Sequence, residues 1–63
     1  MFMDNKYGGE FTPGIFVVNE DKFKDWGIGQ VQSCINNKIT INFENVGKKI
    51  INPKFVKLKI IKI

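Results

Sequence analysis

The stretch IGQVQSCINNKITINFEN, residues 28–45, carries the clearest structural signal in the chain. In its second half Ile39, Ile41 and Phe43 recur at every second position, and the residues between them are polar. This period of two is typical of a half-buried β-strand. The Asn-Asn pair just before it suits a two-residue hairpin turn, because asparagine tolerates the positive φ that such turns require. We therefore expect a hairpin whose strands cover 28–35 and 38–45.

The register of this hairpin decides which side chains of its first strand face the core. A two-residue Asn-Asn turn pairs Cys34 with Ile39 and so places Cys34 on the core face. Strict alternation back from Cys34 would then bury both glutamines of the first strand and expose Val31, and buried amides without partners are costly. Either the turn has three residues, or a β-bulge near Ser33 returns Val31 to the core. We favour the bulge, because free cysteine is usually buried.

The rest of the chain predicts three further strands and no helix. Strands are expected at 15–19, 48–52 and 56–63, separated by turns that contain glycine or proline. The charged segment 20–27 is expected to be a loop, since no apolar stripe of helical period is present. Short strands with turn signals about every 8–12 residues indicate an all-β barrel or sandwich. Residues 1–11 lack periodicity and are expected to form a flexible tail, which leaves 12–63 as the domain.

Composition limits the chemistry that the chain can carry out. Its 63 residues include one cysteine, no histidine and ten basic residues, all lysine, for a net charge of +4. A single domain with roughly 3–5 kcal/mol of stability is expected. One cysteine excludes an intramolecular disulfide, and the lack of histidine removes the commonest metal ligand and proton carrier. We expect no metal and no cofactor.

Without a signal peptide or a membrane-length apolar run, we expect a cytoplasmic protein.

Enzymatic motifs are absent where the sequence comes closest to them. The Gly27-Ile28-Gly29 segment would need a third glycine at Gln32 and a following helix to bind a dinucleotide, but a strand follows. The acidic residues near this loop have no histidine or arginine beside them to support acid–base chemistry. Cys34 is interpreted as a small core side chain rather than a nucleophile. The sequence therefore predicts a protein that is not an enzyme.

Several large apolar residues leave a choice between packing and binding. Trp26 is either a lid over one end of the core or an exposed anchor for a partner. Adjacent apolar pairs occur at 16–17, 50–51 and 60–61, so one member of each pair should point away from the core. These outward residues are either covered at bends of the sheet or form an exposed apolar patch that serves as a binding surface.

The chain contains the segments PGIFV from Pro13, DWGIGQVQS from Asp25 and FENVGKKIIN from Phe43. Together these segments resemble a small bacterial family of unknown function. The same pattern more loosely resembles the Tudor-like C-terminal domain of UvrD/PcrA-type helicases and the RNA-polymerase-interacting domains of transcription-repair and CarD-type factors. The chain departs from the family after the first strand, where Val18 and Asn19 replace a basic residue and a histidine.

The resemblance implies a small five-stranded SH3-like (Tudor-like) barrel, with NPKF as the short turn before the last strand. It also implies a non-catalytic module that binds a protein of the transcription or DNA-repair machinery, such as RNA polymerase or a repair factor. We expect either an exposed strand edge or an apolar patch anchored by Phe16 and Trp26 to bind this partner. Lys48 and Lys49 would steer an acidic partner toward the site.

Two alternatives remain open at this point. One is non-specific nucleic-acid binding, in which a lysine track follows the phosphates and Trp26 stacks on a base. Its residues would be Lys48, Lys49, Lys57 and Lys59. The other is a homodimer that covers its outer apolar residues with a second copy.

Overall fold

The computed structural model describes residues 11–62, so the expected tail over residues 1–10 lies outside the described residues, as does Ile63. Phe11, the last residue of the expected tail, packs against the core. Five strands and one short helical turn follow in the order β1 (Phe16–Asn19), α1 (Phe23–Trp26), β2 (Ile28–Ile35), β3 (Lys38–Phe43), β4 (Gly47–Ile51) and β5 (Leu58–Ile61).

All five strands belong to one antiparallel sheet in the order β4-β3-β2-β1-β5. The prediction of an all-β domain with five strands is confirmed. Closure into a barrel is not, because β4 and β5 end the sheet and do not pair with each other among residues 11–62. The fold is therefore a small open sheet with two edge strands.

The predicted hairpin register is confirmed in detail. Cys34 pairs with Ile39, and the β2–β3 register shifts between Val31 and Ser33, where the bulge was expected. Asn36 and Asn37 have φ values of 51° and 64°, the left-handed conformation that a tight two-residue turn requires. The bulge thus lets Val31 and Cys34 lie on the same face of β2.

A cluster of apolar side chains on one face of the sheet forms the core. Its buried members come from four strands and are Val17, Val31, Ile39, Ile41, Phe43 and Ile51. Since α1 has only one turn and contains no buried residue, it cannot cover this face by itself. Side chains from outside the strands help to cover it, since Phe11, Ile15 and Val56 pack against the cluster together with Trp26, and a β-bulge adds bend to a sheet. We call this side the core face and the opposite side the outer face.

The adjacent apolar pairs divide between these two faces as expected. Val17 and Ile51 are buried on the core face, whereas their neighbours Phe16 and Ile50 lie on the outer face. Phe16 is half-buried and Ile50 is 68% exposed. The pair in β5 is less well covered, and Ile60 remains 41% exposed beside Val17.

The expectation of a plain loop at 20–27 is wrong for its second half, because residues 23–26 form the helical turn α1. Asn19, at the end of β1, starts this segment. Its side-chain Oδ1 accepts hydrogen bonds from the backbone N–H groups of Asp21 and Lys22, at 3.0 and 3.2 Å. Asn19 is itself buried, so its amide oxygen satisfies backbone donors at the point where the chain leaves the sheet.

This arrangement predicts a measurable role for Asn19. Asn19→Ala should lower the free energy of unfolding by about 1 kcal/mol, because the N–H of Asp21 loses its acceptor and the N–H of Lys22 keeps only the backbone carbonyl of Asn19. Asn19→Ser keeps an acceptor oxygen one bond nearer the backbone, where it can form the same kind of turn more weakly, and should recover part of the loss. Urea unfolding followed by tryptophan fluorescence measures both. Equal losses in the two variants would contradict a role for the side-chain oxygen.

Candidate functional site

Trp26 lies between the core and the surface. Its ring meets the ring of Phe43 edge-on, with centroids 5.0 Å apart and planes inclined at 64°. The ammonium of Lys49 lies 5.2 Å from the centroid of the indole, within the range of a cation–π contact. The indole is half-buried and packs against the core cluster. Of the two interpretations of Trp26, the contacts favour the lid.

Backbone hydrogen bonds hold the segment after Trp26 to the turn that joins β3 to β4. The N–H of Asn45 donates to the carbonyl of Trp26 at 3.0 Å, and the N–H of Glu44 donates to the carbonyl of Ile28 at 2.9 Å. The carboxylate of Glu44 accepts a third bond, from the N–H of Ile28 at 2.9 Å. Residues 26–28 and 44–45 therefore form one connected unit at this end of the sheet.

Glycine at position 29 is required by close packing. A Cβ built there would lie 2.5 Å from Cγ2 of Ile41 and 2.7 Å from two ring carbons of Phe43. Gly29 pairs directly with Phe43 across the β2–β3 ladder, and the aromatic ring occupies the space that a side chain would need. The glycine pair that could suggest a phosphate loop instead allows close packing, of Gly29 against Ile41 and Phe43 and of Gly27 against Glu44 and Asn45.

The outer face carries a row of polar and aromatic side chains across the sheet. Strand pairing aligns Phe16 with Gln30, Gln30 with Asn42, and Asn42 with Lys48. An open groove of about 490 Å³ runs over this region, lined by Phe16, Gln30, Asn42 and Glu44 among others. Phe16 and Trp26 do not meet, because Trp26 packs with Phe43 on the core face.

The edge strand β4 presents the most accessible apolar side chain of any strand in the described part of the chain. Ile50 is 68% exposed on its outer face, and exposed Lys48 precedes it by two residues on the same face. On the core face of β4, Lys49 is half-buried and Ile51 is buried. Within residues 11–62, β4 pairs only with β3. Its other side offers backbone groups to an additional strand.

The lysines proposed for a phosphate track are distributed over different parts of the fold. Lys48 and Lys49 point to opposite faces of β4. Lys59 lies on β5, and Lys57 lies just before that strand. Because β4 and β5 are the two edges, three strands separate Lys48 from Lys59. The structure brings Lys49 to Trp26 but does not join the four lysines into one row.

A sequence profile of the family described as "Protein of unknown function (DUF3553)" matches residues 11–61. The chain belongs to this family. No match is found among curated proteins or among solved structures. The matched region of this DUF3553 domain includes all five strands, the Trp26 unit and both sheet edges.

Sequence reasoning missed three features of the DUF3553 domain. It treated Lys49 as a surface charge, although Lys49 lies opposite Ile41 on the core face. It did not assign Glu44 to the backbone of Ile28, a contact that no local pattern reveals. It gave no role to Phe55, which is 82% exposed in the turn after β4.

No helix in the described part of the chain has the length and apolar character to cross a membrane. Nor do residues 11–62 contain a group of three or more metal-ligating side chains close enough to share an ion.

Proposed function

We propose that this DUF3553 domain is a cytoplasmic, non-catalytic interaction module that binds a protein of the transcription or DNA-repair machinery through the edge of β4 that pairs with no strand among residues 11–62. The observation that carries the proposal is Ile50, a β-branched side chain left 68% exposed on an edge strand. A partner strand added at this edge would pair with the backbone of β4 and cover Ile50 at the same time.

The core-face contacts of β4 suit this role. Lys49 reaches over the ring of Trp26, and Ile51 is buried in the core cluster. The strand is thereby fixed in position before a partner arrives, which lowers the entropic cost of adding another strand. In this proposal Trp26 supports the binding edge from the core face, and Phe16 lines the outer-face groove without contacting the partner strand. Lys48 is free to steer an acidic partner.

The kind of partner rests on the sequence resemblance to the Tudor-like domains of helicases and of polymerase-interacting factors. The strand order supports this relationship, because a meander of β1 to β4 with β5 returning to β1 is compatible with an SH3-like barrel that remains open between β4 and β5. We propose that the chain is a divergent member of that group. Fold likeness alone would not name a partner, so the proposal depends on direct recovery of one.

Ile50→Asp provides the test. Ile50 is exposed, so the Ile50→Asp protein should keep its melting temperature within a few degrees. The aspartate would place a charge where the partner strand needs an apolar contact, so partner binding should be lost. The matched control is Ile35→Asp, because Ile35 is 65% exposed but lies at the hairpin end of β2, paired with Lys38 and separated from the outer edge of β4 by β3. Tagged wild-type and variant proteins are used to capture partners from host lysate, and mass spectrometry identifies what is retained.

We expect an RNA polymerase subunit or a repair protein to be retained by the wild-type protein and the Ile35→Asp control and lost with Ile50→Asp. Retention should survive nuclease treatment and a rise in salt from about 50 to about 200 mM. Binding through phosphates weakens steeply over that salt range. Recovery that disappears with nuclease or salt would instead support the lysine-track alternative, and equal recovery by both variants would exclude the β4 edge.

A further inference from the structure

We infer that the partner segment is an antiparallel strand in which two adjacent apolar residues precede two adjacent acidic residues. This inference rests on the proposed function and adds the chemistry of the partner. It follows from the order of charge and exposure along β4, where two lysines precede two isoleucines.

The four positions of β4 set two requirements for the partner strand. On the outer face, an added strand would place one residue opposite Ile50 and another, two positions along, opposite Lys48. On the core face, it would place residues opposite Ile51 and Lys49. Apolar pairs and opposite-charge pairs stabilise a sheet, and like charges directly opposite each other destabilise it. The residues facing the isoleucines should therefore be apolar, and those facing the lysines should be acidic.

The direction of the partner strand relative to β4 follows from the relative stability of antiparallel and parallel pairs. Antiparallel pairs are slightly more stable per residue than parallel pairs, and β4 already pairs antiparallel with β3. An antiparallel partner meets Ile51 first and Lys48 last. Its sequence from the amino end is then apolar, apolar, acidic, acidic. A parallel partner would need the reverse order, so the order of residues in a short peptide reports the direction of binding.

The other edge strand fits such a partner less well. On β5 the most exposed apolar side chain is Ile60, at 41%, and it lies on the core face opposite Val17. The outer face of β5 presents exposed Lys59 and half-buried Ile61. An added strand there would cover less apolar surface than at β4, where Ile50 is 68% exposed.

A second copy of the chain is a poorer occupant of the β4 edge than an acidic strand. If two β4 strands paired antiparallel about Ile50, the two Ile50 side chains would meet. Each Lys49 would face Ile51, however, and each Lys48 would face Asn52. No lysine would gain a carboxylate partner. The net charge of +4 would also oppose the approach of two copies.

Peptide titration followed by NMR of the full chain tests the inference. The probe is acetyl-STVVEETS-amide, and the control is acetyl-STEEVVTS-amide, which has the same composition and charge. We expect shift changes in the β4 amides and roughly fivefold tighter binding of the first peptide. Equal affinity for the two peptides, or a preference for the second, would overturn the inference.

A charge exchange makes the assignment residue-specific. The peptide acetyl-STVVEKTS-amide places its lysine opposite Lys48 and should bind the wild-type protein roughly fivefold more weakly than the probe. Lys48→Glu should reverse that preference. Lys48 is exposed, so the variant should fold normally. No reversal would overturn the proposed register.

Sedimentation of the chain alone completes the test. We expect a monomer at every concentration. A dimer that Ile50→Asp dissociates would show that β4 pairs with a second copy and would overturn the inference. If the peptides show no selectivity but capture from lysate still depends on Ile50, the proposed function stands and only the partner's chemistry is wrong. If capture also fails, the proposed function fails with it.

Discussion

Gly29→Ala is expected to destabilise the domain by about 3 kcal/mol, the upper end of the usual cost of overpacking a core. Its added methyl group would lie 2.5 Å from Cγ2 of Ile41 and 2.7 Å from the ring of Phe43. Both neighbours are buried, so neither side chain can swing into solvent. Against an expected total of roughly 3–5 kcal/mol, this loss would leave much of the protein unfolded at 37 °C.

Urea unfolding of the wild type and the variant measures this cost. A second substitution shows its origin, because Phe43→Leu removes the ring that the new methyl group would meet. If the ring causes the cost, Gly29→Ala should destabilise the Phe43→Leu background less than it destabilises the wild type. A stable Gly29→Ala protein would mean that β2 and β3 can separate locally, contrary to the tight packing between them.

Most of the sheet could be predicted because its strands and turns are determined by residues close together in the sequence. Period-two alternation in residues 38–43 sets β3, and the cost of burying two glutamines leads to the bulge between Val31 and Ser33. The helical turn α1 was missed because four residues cannot show a helical period. Barrel closure could not be decided from the sequence, since it depends on how far the whole sheet curves and on whether β4 meets β5.

The candidate site was predicted in its parts but not in its arrangement. The sequence singled out Trp26, Phe16 and Lys49, yet it could not show that Phe16 lies on the opposite face from the other two. The face of Lys49 follows from its pairing with Ile41, and that register depends on the length of the turn between β3 and β4. Ile50 was recognised as one of a pair, but only the strand order showed that it lies on an edge.

Trp26→Ala is expected to lower stability by about 2–3 kcal/mol, somewhat below the usual cost of truncating a fully buried aromatic residue. The indole is half-buried, contacts the ring of Phe43 and lies under the ammonium of Lys49. Removing it opens this end of the core and also frees Lys49. Trp26→Phe keeps an aromatic ring of smaller size and should cost about half as much.

Lys49→Met separates the packing of the indole from its cation–π contact with Lys49. It keeps a side chain of similar length at position 49 and removes only the charge over the ring. The cation–π contact at this partly exposed position should be worth about 0.5–1 kcal/mol, so Lys49→Met should cost much less than Trp26→Ala. In the double variant the two losses should not add, since both remove the same contact. Thermal and urea unfolding of all three variants give these values. A melting temperature that Trp26→Ala leaves unchanged would show that the indole does not support the core, and Trp26 would then become the leading candidate for a direct partner contact.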